Sequence, residues 1–496
     1  MNVTTGRKLD KRYAENMLQL NRVLPLAAEM QFPERVLQFG TGVLLRGLPD
    51  YFINKANQMG VFGGRIAVVK STASGSIESF VQQDNLYTLH VKGIVDGREV
   101  QQVDVISAIS RVIPAVGRWN DVLELARKPT IEVVISNTTE VGIVYDENDS
   151  IWAAPPSSFP AKLTALLYSR YLFFNGDYEK GWVVLPTELI DNNGEQLKAI
   201  VLQTARAHGL DDGFMQWVAE ANDFCNTLVD RIVPGKLPRQ EARQAAAELG
   251  YRDELAIMAE PFRLWAIQAD SDRVLDKLSF AEADDAIVIA PDISKFKELK
   301  LRLLNGSHTF SCALAMMCGF ETVSEAMKCA NFSGFIRGLL LEELVPTLTG
   351  GHITEMEARR FSGAVLDRFA NPFLNHRWKD IAMNYTTKMR MRNVPTLTRY
   401  AQCVQAAPRH MALGLAAFLQ YVDGSRVVAD EYASIFADLW RKYRSPDRLV
   451  PEVLRNREIW GVDLSEVPAL TEQVIYFLDS LLQVGAKETL QNVKLT

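Results

Sequence analysis

The hydrophobic pattern along the chain changes character once, near residue 290. Before that point, short apolar runs alternate with stretches of helical period. The runs are RVLQF (35–39), RIAVVK (65–70), one near 100–105, IEVVIS (131–136), WVVLP (182–186) and DDAIVIA (284–290). Several end in polar clusters, KST after the second and NTTE after the fourth, as strands do at the active edge of a parallel sheet. WNDVLELARK (119–128) and LTALLYSRYLFF (163–174) lie between them and carry apolar residues at helical spacing. Strand alternating with helix predicts an α/β domain built on a parallel sheet. Beyond 290, helix-period segments follow over 293–319, 322–345, 354–370, 410–422, 429–443 and 465–484. At 496 residues the chain exceeds what one core usually serves, so two domains are expected, 1–290 and 291–496, the second mostly α-helical.

One segment breaks this pattern. KLRLLNGSHTFSCALAMM (300–317) has the apolar spacing of a packed helix, yet it holds Lys300, Asn305, Gly306 and His308 within nine residues. Asn-Gly is a strong turn signal, and lysine and histidine are costly to bury. Conflict of this kind is expected at functional sites. On a regular helix, Asn305 and His308 lie about 60° apart and Lys300 about 80° from His308, so all three can look into one cleft. A lysine drawn out of water can exchange a proton near neutrality, and an asparagine can donate to a carbonyl oxygen becoming an alkoxide. Glycine at 306 would leave room for a substrate.

The first strand runs into FGTGVLLRG (39–47), where Gly40 and Gly42 stand at the turn into a helix, as in a dinucleotide fold. Leu45 takes the place of the third glycine of that fingerprint. The acid expected after the second strand is also missing: Lys70, Ser71 and Thr72 stand there, and a cation with hydroxyls suits a 2′-phosphate. SNTTEVG (136–142) follows a buried strand, which points Asn137, Thr138 and Glu140 toward the same edge. LVDRIVP (228–234) holds the pair Asp230 and Arg231. RFANPFLNHRWKD (368–380) and YTTKMRMR (385–392) concentrate Arg368, His376, Arg377, Lys379, Lys388, Arg390 and Arg392.

Composition narrows the classes. A net charge of −6 argues against a nucleic-acid binder, which should show a basic face. No apolar run approaches membrane-spanning length, and the N-terminus has no apolar block after its basic residues, so neither a membrane partner nor a secretory signal is expected. Five cysteines without a CxxC pair suit a reducing, cytoplasmic setting, and only six histidines make a metal site unexpected. The oligomeric state is not legible.

The stretch K-x4-N-G-x-H resembles the signature of the polyol-specific long-chain dehydrogenases, the mannitol dehydrogenase family. FGTGVLLRG is similar to that family's G-x-G-x-x-x-R segment, with Arg46 at the Arg position. SNTTEVG is similar to its T-E-x-G loop, LVDRI to its M-V-D-R-I, and RFANP to its R-F-x-N-P. SNTTEVGI, FPAKLTALL, ELIDNNG, FCNTLVDRIV, KLRLLNGSHT and RFANPFLNH resemble the uronate branch. The resemblance implies a Rossmann-type N-terminal domain, a helical C-terminal domain and a reaction site between them. It implies a metal-independent oxidoreductase that uses NAD as hydride carrier to reduce tagaturonate to altronate, with fructuronate, mannitol or arabinitol as alternative substrates and an oxidative decarboxylase as a more distant one. Lys300 would be the general acid/base, with Asn305 and His308 as polar partners. Phe39, Gly40, Thr41, Gly42, Arg46, Lys70, Asn137, Thr138 and Glu140 would hold the cofactor, and Asn193, Asp230, Arg231, His376 and Lys388 the sugar acid. Two features depart from the family pattern. Thr187-Glu188-Leu189 replaces a Cys-Asp-Asn run whose Asn helps to hold the reacting oxygen, leaving Asn193 as a substitute donor. Lys70 stands where polyol members carry the acid that selects NAD. The alternative outside enzymology is a dinucleotide-binding regulator, which would be expected to have lost Lys300, Asn305 or His308; none is lost.

Overall fold

A computed structural model describes residues 7–17, 28–138, 142–404, 406–425 and 429–492. The chain forms two compact units, one from Met1–Lys92 with Val100–Ile293, the other from Gly93–Glu99 with Ser294–Thr496.

The first unit is built on a six-stranded sheet of β1 (Glu34–Phe39), β2 (Arg65–Lys70), β5 (Ile109–Pro114), β6 (Val133–Ser136), β7 (Val183–Pro186) and β8 (Asp223–Phe224). The order is β5-β2-β1-β6-β7-β8, and every pairing is parallel. These strands read as continuous apolar runs because both faces are covered. Val36, Ile66, Val68, Val133, Ile135, Val183 and Leu185 join one core, while Leu37, Ala67, Val69, Val134 and Val184 join another across the sheet. The chain builds outward from β1 to one edge, then returns to β6 and builds to the other. The crevice beyond the ends of β1 and β6 is thus a topological switch point, where open α/β sheets bind ligands.

The run near 100–105 differs from its reading as a buried strand. It is the mostly exposed β4 (Arg98–Ile106), paired with β3 (Tyr87–Val95) in a separate sheet with the strand Ile257–Ala259. Gln101, Gln102 and Asp104 leave that strand without an apolar face. At its hairpin tip, the Asp96 and Gly97 amides donate to the Asp367 carboxylate at 2.7 and 3.1 Å, within the second unit.

A polar group lies against the β1 face. Asp50 is fully buried near Gln38, Arg46 and Tyr87, and burial pushes its carboxyl up to about 8 despite the Arg46 charge. The folded chain therefore keeps this proton at pH values where the unfolded chain, at the ordinary 3.8, has lost it. Stability contributed by the neutral acid is full below that ordinary value and declines as pH rises toward 8. Asp50→Asn is expected to raise Tm by several degrees at pH 8 and much less at pH 4, measured by calorimetry. Equal gains at both would mean that Asp50 is ionised in the fold.

The second unit is helical around one large core. The helix Arg409–Tyr421 packs on both Leu470–Asn492 and Ser307–Met317. Among the described residues, no helix is long and apolar enough to cross a membrane.

Candidate active site

In the first unit, β1 ends at Phe39 and the chain turns at Gly40, whose φ is +119°. A Cβ there would lie 3.0 Å from Leu45 Cδ1 and 3.3 Å from the Asn137 carbonyl oxygen, so the turn requires glycine. At Gly42, which caps the helix Val43–Gly47, a Cβ would meet nothing within 4 Å, leaving bare backbone open to a ligand. The loop is strapped on both sides: the Gly40 N–H donates to Val69 O at 3.0 Å, and the Asn137 N–H to Phe39 O at 3.3 Å. Gln38 Nε2 donates to Gly40 O at 3.3 Å.

A cavity of about 990 Å³ opens there, lined by Phe39, Gly40, Thr41, Gly42, Lys70, Asn137 and Thr138 from the sequence reading. Its other wall comes from 144–148, Ser157, Ser158, Phe159 and Lys162, which the pattern did not single out. Lys70 is buried and donates to the Thr72 carbonyl. Lys162 is buried too; its Nζ donates to Ser157 O at 2.6 Å, and burial lowers its pKa against the pull of Asp149. The volume is that of a large ligand site, and the bare glycine turn at the switch point suits a pyrophosphate. These residues fit a dinucleotide.

Arg46 plays another part than the cofactor contact expected of it. It is buried, donates from Nε to Thr41 O at 3.3 Å and from Nη1 to Leu255 O at 2.7 Å, and lies over the Tyr87 ring. It braces the glycine turn from behind. Glu140 lies outside the described residues. Glu188, which sequence reasoning treated only as a departure, shapes the β6 loop: its carboxylate accepts from the Thr138 N–H at 2.8 Å, Thr138 Oγ1 at 3.0 Å and Ser136 Oγ at 3.1 Å. Thr187 Oγ1 accepts from Asn137 Nδ2 at 3.0 Å. Leu189 is exposed.

Asn193 does not serve as the substitute donor. Its Nδ2 donates to the carbonyls of Pro186 and Glu188 at 3.0 Å and Thr227 at 3.2 Å, while Oδ1 accepts from the Gly194 and Thr227 amides. No N–H is left for an oxyanion. Arg231 is likewise a brace. It is buried, donates to Glu260 O at 2.9 Å and Gly47 O at 2.6 Å, lies over Tyr51, and burial lowers its pKa to about 10. Asp230 is buried beside it at the end of the strand Thr227–Asp230.

In the second unit, the segment that looked like a broken helix is a continuous one, but its first half is wound more widely. Residues Leu299–Gly306 are π-helical and lead into the α-helix Ser307–Met317. The Asn-Gly turn signal is overridden, with Gly306 at φ −65°. Wider winding replaces the 100° spacing assumed above, and such bulges recur at functional sites. Gly306 serves packing rather than substrate approach: a Cβ there would come 3.1 Å from Asn393 Oδ1. Asn393 ends a second π-helical stretch, Met389–Asn393, that packs against the first.

Lys300 and Asn305 are half-buried on this helix, and among the described residues the Asn305 side chain makes no hydrogen bond. His308 is buried, stacked on Phe369 at 4.0 Å between ring centroids and edge-on to His376 at 4.9 Å. Its Nε2 has no partner among the described residues. Burial, then the charges of His376, Arg368 and Arg392, hold its pKa well below the usual 6.5, so the ring is neutral. Lys388 Nζ donates to Ile381 O at 3.0 Å. Tyr385 bonds to that helix from outside: its OH donates to Thr309 O at 2.8 Å and accepts from the Ala313 N–H at 3.0 Å. Among the described residues, no three His, Cys, Asp or Glu side chains are grouped to hold a metal ion.

Residues 34–277 match the mannitol dehydrogenase Rossmann domain and 292–482 the mannitol dehydrogenase C-terminal domain. The altronate oxidoreductase of Bacillus subtilis (strain 168) is 38% identical over 465 residues, 93% of this chain and 95% of that protein. That of Escherichia coli O1:K1 is 36% identical over 473 residues, 93% of this chain and 97% of the relative. Among solved structures, substrate-free D-sorbitol dehydrogenase superposes with a TM-score of 0.76 at 21% identity, covering 93% of this chain and 96% of that one. Pseudomonas fluorescens mannitol 2-dehydrogenase, in a ternary complex with NAD and D-mannitol, superposes with a TM-score of 0.66 at 21% identity, covering 98% and 99%.

Proposed function

Because the chain belongs to the mannitol dehydrogenase family, oxidoreductases acting on CH–OH groups, we propose that it is an NAD-dependent tagaturonate reductase that interconverts tagaturonate and altronate. The observation that carries this reading is the continuous helix 299–317, whose wide-wound first half carries Lys300 and Asn305 and whose following α-helical turn carries a neutral His308.

In this reading, Gly40, Thr41 and Gly42 receive the pyrophosphate of NAD, Lys70 and Thr72 lie toward the adenosine, and Asn137 and Thr138 toward the nicotinamide ribose. When bound, the nicotinamide supplies the hydride in reduction and accepts it in oxidation. Lys300 donates a proton to the oxygen of the keto carbon as that carbon is reduced, and takes it back in the reverse direction. Asn305 donates its amide N–H to the same oxygen while negative charge builds there. Neutral His308 binds a neighbouring hydroxyl through Nε2. The test is a spectrophotometric panel of tagaturonate, fructuronate, fructose and tagatose with NADH and NADPH. Tagaturonate with NADH should give the highest kcat/KM; fructose above both keto-uronates would overturn the reading.

Lys70 gives a separate expectation. Lys70→Asp should move preference further toward NAD, since a carboxylate accepts from both ribose hydroxyls and repels a 2′-phosphate. An unchanged NAD/NADP ratio of kcat/KM would place Lys70 outside the adenosine site.

A further inference from the structure

Resting on the keto-uronate reading above, we infer that Arg392 receives the carboxylate that distinguishes this substrate from a ketohexose. The sequence places His376 and Lys388 at the sugar acid within a basic segment that also holds Arg390; the structure argues for their neighbour.

Two arginines stand where the π-helical stretches Leu299–Gly306 and Met389–Asn393 pack together, and they are provided for differently. Arg302 has a carboxylate of its own, with Nε donating to Glu298 Oε2 at 3.1 Å, and it ties the second stretch down through the Met391 and Arg392 carbonyls at 3.0 and 2.8 Å. Arg392 has none. Among the described residues its guanidinium makes one side-chain hydrogen bond, from Nη1 to Thr309 Oγ1 at 3.2 Å. A guanidinium offers five N–H donors in a planar fork matched to a carboxylate, so most of its capacity is unmet. It is nonetheless half-buried, and the loss of water lowers its pKa with no acid opposing.

The surroundings share this bias. Thr309, which Arg392 holds, follows His308 directly. The charges acting on His308 are those of His376, Arg368 and Arg392, every one of them positive or able to become so. Its Nε2 is buried without a partner among the described residues. A cation-rich site beside an unpaired ring nitrogen suits an anion with an adjacent hydroxyl, which is the end of a sugar acid. Gly306 contributes by letting the Arg392 stretch approach, since any side chain would press on Asn393. The rivals are placed less well. Lys388 already donates to a carbonyl, and Arg390 is exposed beside Gly461 and Tyr432.

The test compares tagaturonate with tagatose, its neutral counterpart, in the full-length enzyme. Arg392→Met should raise KM for tagaturonate about 10–100-fold, the worth of a charge-assisted bond. KM for tagatose and the dissociation constant of NADH should stay within about twofold. Arg392→Lys keeps a charge but loses the fork, so an intermediate KM for the acid alone is expected, and this variant decides the matter if the methionine form does not fold. Altronate should inhibit tagatose reduction in the wild type and lose that inhibition in Arg392→Lys by the same factor as KM. Unchanged KM for tagaturonate in both variants, or an equal loss on both sugars, would overturn the clamp. A wild type that reduces no keto-uronate would instead overturn the functional reading, before any variant is compared.

Discussion

Lys300→Ala is expected to lower kcat about 10²–10⁴-fold while NADH binds as before, because positioned proton transfer contributes that much. In the proposed reading the variant removes the proton donor for the nascent alkoxide, and it leaves every residue of the first unit's cavity in place. The loss should therefore appear in kcat and kcat/KM alike, with the NADH dissociation constant unmoved. A small primary amine added to the buffer should restore part of the rate, with a dependence on the amine's own basicity. A variant keeping near wild-type turnover across pH would remove Lys300 from the reaction.

Asn305→Ala is expected to cost about 10²–10³-fold in kcat, the usual worth of one oxyanion donor. The expectation is sharpened by what the structure does to the alternatives. Asn193 has both amide hydrogens on carbonyls, and Leu189 has no donor to give. Neither of these two positions is thereby able to take over from Asn305. Its own carbonyl accepts from Thr309 Oγ1 at 2.8 Å, a backbone bond that alanine retains, so the helix should stand. Asn305→Asp separates charge from shape, since it keeps the volume and places an anion where one must form. It should fall at least as far as alanine. If both variants turn over normally, the developing charge is held by other groups.

The sheet was legible because a doubly covered parallel strand can hardly be built from anything but consecutive apolar residues, and the loops after β1 and β6 follow from it. Phe39 to Gly42, Lys70, Asn137 and Thr138 accordingly line one cavity. β4 was misread because length and a few valines imitate a core strand, while the alternation that would have exposed it is interrupted by glutamines. Buried arginines were the harder failure. Arg46 and Arg231 resemble ligand-facing cations in a linear sequence, and only the carbonyls that satisfy them show that they are braces. Arg392 was passed over for the opposite reason, since one arginine in a basic run looks like a solvated face. Glu188 could have been found from its place directly after a strand end, the same logic that found Asn137. The π-helical winding has no residue signature beyond the conflict that marked the segment out.

Tyr385 ties the helix Ser307–Met317 to a distant part of the chain. A phenol from a segment 76 residues further on bridges the Thr309 carbonyl and the Ala313 N–H, one helical turn apart. The turn after His308 is thereby tied by two hydrogen bonds to the segment that leads into Met389–Asn393. Opening of that turn breaks the hydrogen bonds that hold residue 385 to it, which couples it to the stretch that carries Arg392. In the proposed reading, where this helix carries the acid/base and that segment the carboxylate clamp, the grip on the two ends of the sugar acid is coupled in the same way.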